Sequence, residues 1–348
     1  MIKPRKCIAE MDAYNPPIEG RSGKIRLDFN ENTSGCSPKV LKAVRGVSAS
    51  EIATYPEYDA FVRKLAGFLK VDKNKLMINN ATDESIMVVM QTYIGRGDEI
   101  VLPVPTFAMF KFYAQIADAK IREVLYNKDR SFPAVNVLKA VNDKTKLVVL
   151  VNPNNPTGTS IERKDIIKIA EKAKNAIVLL DEAYVQYSGE SCADLVDRYG
   201  NLIVIQTFSK AFGLAGARLG YAISNKENIK NLLKVRSPYS INRFAVKAAE
   251  AAIEDIDFVN KYVKEVRESK QILYDELGKL GVKFYRSDAN FIVIDFGDKN
   301  KKVDEELNKK GILVRDRSRY PLLEHCTRIT VGTKEQVEEL VKTLRVVL

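Results

Sequence analysis

Histidine is nearly absent: the chain has one, His325, in 348 residues. That excludes a histidine-rich metal site. Cysteine is also scarce. Cys7, Cys36, Cys192 and Cys326 lie far apart with no Cys-x-x-Cys spacing. They read as free thiols in a reducing cytoplasm, not as a disulfide or zinc framework. No apolar run approaches the length of a membrane span. The basic start, Met1-Ile2-Lys3-Pro4-Arg5-Lys6, has no apolar core behind it, so no signal peptide is expected. There is no internal repeat and no low-complexity segment. Acidic residues are outnumbered 45 to 56 by Lys and Arg, a formal charge of +11. This excess invites a nucleic-acid reading. Against it, basic residues interleave with Glu along stretches such as 261–276, as on solvated helix faces. Anionic small molecules are the milder reading of the charge.

At this length and 45% hydrophobic content, the chain can hold a large core and a second, smaller domain. A strand is expected at 25–29, after a Pro- and Gly-rich arm. Ser37-Pro38 reads as a helix start, with a hydroxyl cap followed by proline at the first helical position. Residues 54–56 read as a loop and 61–69 as a short helix. From there to about 225, strand and helix alternate. Strands are expected at 76–80, 99–102, 147–151, 176–180, 202–205 and 220–223, with a buried helix at 83–94 and a turn at 103–107. Continuous apolar runs of strand length imply burial on both faces, hence a mostly parallel sheet with helical crossovers. The region to about 280 reads as helical, broken near Ser237-Pro238. Strands at 282–285, 291–294 and 328–331, with helices at 301–310 and 334–345, then form an α+β unit. The expected division is a large domain at 36–245 and a small one made of 1–35 and 246–348.

Three successive strand ends carry unusual polar groups. The first is Asn152-Pro153-Asn154-Asn155-Pro156-Thr157-Gly158, where prolines and glycine hold a rigid loop and Asn155 presents an amide. The bland alternative is a turn with no ligand. The second is Asp181-Glu182-Ala183-Tyr184. Asp181 follows five apolar residues, and a buried carboxylate is costly unless it meets a cation. A pyridinium nitrogen would be such a partner; a metal-binding or structural aspartate is the alternative. The third is Thr207-Phe208-Ser209-Lys210-Ala211-Phe212-Gly213, with Arg218 beyond it. A lysine placed just past a buried strand reads as a reactive amine in Schiff-base linkage to pyridoxal phosphate. Desolvation and nearby cations would favour its neutral form. Thr207, Ser209 and Arg218 offer a grip on a phosphate. So does the strand-to-helix junction Asn80-Ala81-Thr82-Asp83-Glu84, though every α/β unit contains such junctions.

This series of parts resembles the fold-type I pyridoxal-phosphate aminotransferases, in the class that includes histidinol-phosphate aminotransferase. The resemblance spans nearly the whole chain. Besides the strand ends it is carried by Tyr55-Pro56, Pro105-Thr106-Phe107 and Arg328-Ile329-Thr330-Val331-Gly332-Thr333. It implies an α/β fold with a mostly parallel central sheet, helices on both faces and a smaller α+β domain. It also implies a pyridoxal 5'-phosphate enzyme with Lys210, Asp181 and Tyr184 as catalytic residues. Lys210 would hold the cofactor and shuttle the proton between the donor's α-carbon and the cofactor. Asp181 would pair with the ring nitrogen, and Asn155 and Tyr184 would bond the phenolic oxygen. Ala81, Thr82, Asp83, Thr207, Ser209 and Arg218 would surround the phosphate, and Phe107 would stack on the ring. Tyr55 would reach the neighbouring subunit's site, which implies a homodimer. No metal, nucleic acid or membrane partner is implied.

For substrates, the resemblance points to Tyr14, Asn155, Arg315 and Arg328. A surface salt bridge is the plain alternative for Arg315. The implied reaction is transamination of L-histidinol phosphate with 2-oxoglutarate in histidine biosynthesis. Aromatic amino-acid transamination, threonine-phosphate decarboxylation and a non-catalytic binding role remain open beside it. Two departures bear on the donor. Thr33-Ser34-Gly35-Cys36-Ser37-Pro38 replaces a Pro-Tyr-Gly-Pro-Ser-Pro-like run, and Phe107 replaces a tyrosine that could hydrogen-bond. His325 receives no role.

Overall fold

The computed structural model describes residues 2–348. Thirteen strands occur among them: β1 (Ile25–Arg26), β2 (Leu76–Asn79), β3 (Glu99–Val104), β4 (Lys120–Leu125), β5 (Thr145–Val151), β6 (Ile177–Asp181), β7 (Leu202–Thr207), β8 (Gly220–Ile223), β9 (Lys283–Tyr285), β10 (Phe291–Asp295), β11 (Ile312–Leu313), β12 (Arg315–Asp316) and β13 (Cys326–Thr330). Seven form one sheet in the order β2-β8-β7-β6-β5-β3-β4. Only β8 runs against its neighbours; the other pairings are parallel.

The continuous apolar strands follow from burial on both faces. Alternate side chains point to opposite sides of a strand. Leu150, Leu180 and Val204 therefore join one hydrophobic layer, and Val149, Leu179 and Ile203 join the other. Burying each such side chain contributes about 1.5–3 kcal/mol. Helices cover both faces. Ala81–Tyr93 contributes Ile86, Val89 and Met90 to the layer of Val149, Leu179 and Ile203, and Asp59–Leu69 contributes Phe61 and Leu65 to the other.

The remaining strands form a four-stranded antiparallel sheet, β12-β13-β10-β9, and a parallel pair, β1-β11. The N-terminal arm thus joins the C-terminal part of the chain. The strand expected at 25–29 is cut to two residues because the chain changes partner. Leu27 donates its N–H to Leu313, while its carbonyl accepts from the N–H of Thr330, on β13. The expected helical region has a second break, between Arg243–Glu254 and Ile256–Lys279. At that break the Asp255 carboxylate is held by Ser37 and by Lys39 at 2.9 Å. The turn expected from Pro103 starts later, since β3 runs on to Val104. Strand β4 was not anticipated. It is an edge strand whose Lys120, Arg122 and Glu123 face outward, and such charges hide strand periodicity while blocking edge association. No helix among the described residues is long and apolar enough to cross a membrane.

Candidate active site

Strands β5, β6 and β7 are neighbours at the middle of the sheet, and their C-terminal ends open into a cleft of about 650 Å³. Open α/β sheets bind ligands at such ends. The cleft is closed above by the arm (Tyr14, Phe29, Asn30, Glu31) and by the β12–β13 pair. Every site residue expected from the sequence lines it except Tyr55. That side chain is 73% exposed and stacks on Tyr239, with ring centroids 4.3 Å apart.

Lys210 lies between Phe208 and Phe212, which with Tyr221 form a ring cluster that anchors its loop on the core. Its Nζ donates to the Phe29 carbonyl at 3.0 Å and lies 5.8 Å from the Tyr184 ring centre. The amine is thus tethered to the arm and faces the cleft. At the end of β6, side-chain alternation separates two adjacent carboxylates. Glu182 turns away and accepts hydrogen bonds from Gln206 Nε2 (2.7 Å), Ser191 Oγ (2.6 Å) and the Cys192 N–H (2.7 Å). Asp181 turns into the cleft, where its only protein donor among the described residues is the Ala183 N–H at 2.9 Å. Burial pushes the Asp181 carboxyl up to about 7, and the charges of Asp83 and Glu182 add to this. Among the described residues no cation forms an ion pair with it, and the charge of Lys210 offsets only part of the shift.

The two asparagines after β5 divide in the same way. Asn154 spends its amide inside the loop, accepting from Thr106 Oγ1 (2.8 Å) and donating to the Pro105 carbonyl and Thr157 Oγ1 (2.9 Å each). Asn155 faces the cleft, and its Oδ1 accepts from Arg328 Nη1 at 2.7 Å. Tyr184 accepts at its hydroxyl from Asn30 Nδ2 at 2.9 Å. Phe107 sits edge-on to Phe110, 6.2 Å between centroids.

At the other end lies the start of helix Ala81–Tyr93, whose first N–H groups have no intrahelical partner. Gly220 makes room for it, because a Cβ there would lie 2.9 Å from the Thr82 nitrogen. Thr207 Oγ1 accepts from the Ser209 N–H at 3.0 Å. Arg218 does not stand free here: its Nη2 donates to Asp83 Oδ2 at 2.9 Å. Arg328 is buried, while Tyr14 stands 43% exposed at the mouth. Arg315 lies over the Phe29 ring at 5.8 Å.

Sequence reasoning passed over Phe29, Asn30, Glu31, Arg317 and Tyr320, which also line the cleft. Arg317 had a signal, standing two residues from Arg315 and so on the same face of a strand. The arm residues had none, since their neighbours come from about 300 positions away: Asn30, for example, is hydrogen-bonded to Thr330.

An amine, a buried acid and an anion cradle around one cleft define a pyridoxal-phosphate transferase, and the chain belongs to the aminotransferase class I and II family, whose profile matches residues 22–344. It is an aminotransferase that uses pyridoxal 5'-phosphate. It is 34% identical over 334 residues to the histidinol-phosphate aminotransferase of Methanocaldococcus jannaschii, covering 93% of this chain and 89% of that one. The enzyme of the same name from a Thermoanaerobacter species is 38% identical over 330 residues, covering 93% of each. Among solved structures, the histidinol-phosphate aminotransferase of Sinorhizobium meliloti in complex with pyridoxal-5'-phosphate superposes with a TM-score of 0.91 at 24% identity, covering 100% of this chain and 99% of that one. L-threonine-O-3-phosphate decarboxylase from Porphyromonas gingivalis has the same fold, with a TM-score of 0.81 at 22% identity over 92% and 98%.

The residues present fit the cofactor. Its ring nitrogen needs an acid, and Asp181 is a buried acid with no ion-pair partner among the described residues. Its phosphate needs donors, which the helix start, Thr207, Ser209 and Arg218 supply at one end. Its aldehyde needs an amine, and Lys210 lies in the same cleft.

Proposed function

We propose that this chain transfers the amino group of L-histidinol phosphate to 2-oxoglutarate, giving imidazole acetol phosphate and glutamate, a step of histidine biosynthesis. The observation that carries this reading is the arginine pair Arg315 and Arg328, directly opposite each other on β12 and β13 and both lining the cleft. One guanidinium serves a carboxylate. A second beside it suits a donor whose anionic group is a phosphate, with more charge and a third oxygen. The relatives named for this reaction support the choice.

Bound pyridoxal phosphate supplies an electron sink for the pair released when the donor's α-carbon loses its proton. Lys210 Nζ is both the anchor for the cofactor aldehyde and the base that takes that proton and returns it. Asp181 keeps the ring nitrogen protonated. Asn155 and Tyr184 would donate to the ring's phenolic oxygen, and Phe107 would pack against its face. Ala81, Thr82 and Asp83 at the helix start hold the phosphate together with Thr207, Ser209 and Arg218. Arg328 and Asn155 orient the acceptor's carboxylate, Arg328 and Arg315 meet the donor's phosphate, and Tyr14 covers the donor at the mouth. The smaller domain, 1–35 with 246–348, brings most of these substrate groups to the larger one, 36–245. The cut at 245 falls inside helix Arg243–Glu254.

A donor panel tests the reaction. Purified enzyme loaded with pyridoxal phosphate should form glutamate from 2-oxoglutarate when given histidinol phosphate. Brisk turnover of phenylalanine or tyrosine with none of histidinol phosphate would reassign it as an aromatic aminotransferase. Carbon dioxide release from threonine phosphate without glutamate would reassign it as a decarboxylase. The same reading makes the enzyme a homodimer in which Tyr55 reaches the neighbouring site. Its support is the exposed Tyr55–Tyr239 stack outside the chain's own cleft. Sedimentation should give twice the chain mass of 39.2 kDa, and a stable monomer with full activity would refute this.

A further inference from the structure

Three arginines share one face of the β12–β13 pair. Arg315 lies directly across from Arg328. Arg317 is two residues on, and its main-chain N–H still reaches β13 at the Cys326 carbonyl, 2.9 Å away. Side chains alternate along a strand, so 315 and 317 leave on one face and 316 on the other. The contacts follow that alternation. Asp316 and Thr327 both meet Asn300 behind the pair, at 3.3 and 2.9 Å. Arg315, Arg317 and Arg328 all line the cleft.

None of these guanidiniums meets a carboxylate. Among the described residues, the ion-paired arginines are others, such as Arg21, Arg122, Arg163 and Arg218. Arg328 donates to Asn155 and to the Asp28 carbonyl, which leaves its Nε buried and unbonded. Arg317 Nε is likewise buried and unbonded, and its guanidinium lies 5.4 Å from the Tyr320 ring centre. Burial lowers the pKa of both groups, that of Arg328 to about 9, and the charge of Arg317 lowers Arg328 further. Desolvated cations packed together are costly, and a bound anion offsets the cost. A carboxylate, with one charge and two oxygens, is served by one guanidinium fork. A phosphomonoester brings about −1.5 to −2 charges and three acceptor oxygens.

We propose that Arg317 determines specificity for the phosphate of the amino donor, by bonding an oxygen that Arg315 and Arg328 leave open. The cleft then prefers a phosphomonoester to a carboxylate at this position. This rests on the reading of the donor given above.

The test uses the cofactor-loaded enzyme as wild type, R317Q and R317K. Kinetics are measured with L-histidinol phosphate and, in the half-reaction, with L-glutamate, and inorganic phosphate is titrated as an inhibitor. R317Q should raise KM for histidinol phosphate about 10- to 100-fold, as expected for a lost charged hydrogen bond, with kcat within about threefold. The inhibition constant of inorganic phosphate should rise in parallel, and KM for glutamate should move less than about threefold. R317K keeps the charge but loses the fork, so it should fall between wild type and R317Q. Unchanged phosphate inhibition in R317Q overturns the proposal, as does an equal rise in KM for glutamate. Thermal unfolding and the cofactor absorbance band report whether R317Q is folded. If it is not, R317K decides, and wild-type values for both constants overturn the proposal. If the wild type itself ignores histidinol phosphate, the functional reading falls. Phosphate inhibition of glutamate turnover then still decides on Arg317.

Discussion

Lys210→Ala is expected to reduce turnover by about ten-thousandfold or more, because one substitution removes both the anchoring amine and the base. The geometry narrows the cause. Among the described residues Lys210 is the lysine that lines the cleft, and no histidine or second lysine does. The change also removes the bond from Nζ to the Phe29 carbonyl. A single hydrogen bond of this kind contributes about 0.5–1.5 kcal/mol, so the fold should survive. Steady-state turnover and thermal unfolding, measured on the same preparation, separate the two effects. A small primary amine added to the variant should restore a fraction of the rate, since the missing part is an amine in an otherwise intact cleft. Near-wild-type activity in Lys210→Ala would refute the assignment.

Asp181→Asn is expected to cut turnover by about 100-fold or more, since an amide cannot hold a proton on the ring nitrogen by its charge. It should also stabilise the chain stripped of cofactor at neutral pH. Burial raises the folded carboxyl from its ordinary 3.8 to about 7. An acid whose folded pKa is raised opposes folding once it ionises. The penalty is absent below about pH 4, grows to about pH 7, and is complete above that, at about 4 kcal/mol. Asparagine never ionises, and its Oδ1 can still accept from the Ala183 N–H. The cofactor-free variant should therefore unfold at a higher temperature than cofactor-free wild type at pH 8, with the gap closing toward pH 4.5. A less stable variant at pH 8 would mean that the charge of Lys210 outweighs the cost of burying the Asp181 carboxylate. Wild-type turnover would mean that the carboxylate does not face the ring.

The two predictions share a paradox of design. The folded chain carries a buried acid at Asp181 and unpaired cations at Arg317 and Arg328, and both are costs in the bare protein. Pre-organised sites accept such costs because the groups are then set to meet a charged ligand without rearranging. The opposite signs occupy different parts of one cleft, so cofactor and substrate each offset a separate cost.

Much of this was legible in the linear chain. Leu147 to Val151 and Leu202 to Ile205 announce central strands because burial on both faces demands unbroken apolar residues. Once those strands are parallel neighbours, Asn155, Asp181 and Lys210 must converge, since each stands just past a strand end. Local physics therefore determined the fold class, the cleft's position and the three strand ends that meet at its centre. It did not decide between Asn154 and Asn155, or between Asp181 and Glu182. Those choices depend on which partners fill the space on either side: Thr106 and Thr157 for one pair, Gln206 and Ser191 for the other. Nor could it show that residues 27–30 leave β11 to meet β13, that β8 runs backward, or that Tyr55 lies outside its own chain's cleft. A residue's propensity and burial period are written in its near neighbours. A hydrogen bond across 300 positions, such as that from Asn30 to Thr330, has no local signature and exists only once the chain has packed.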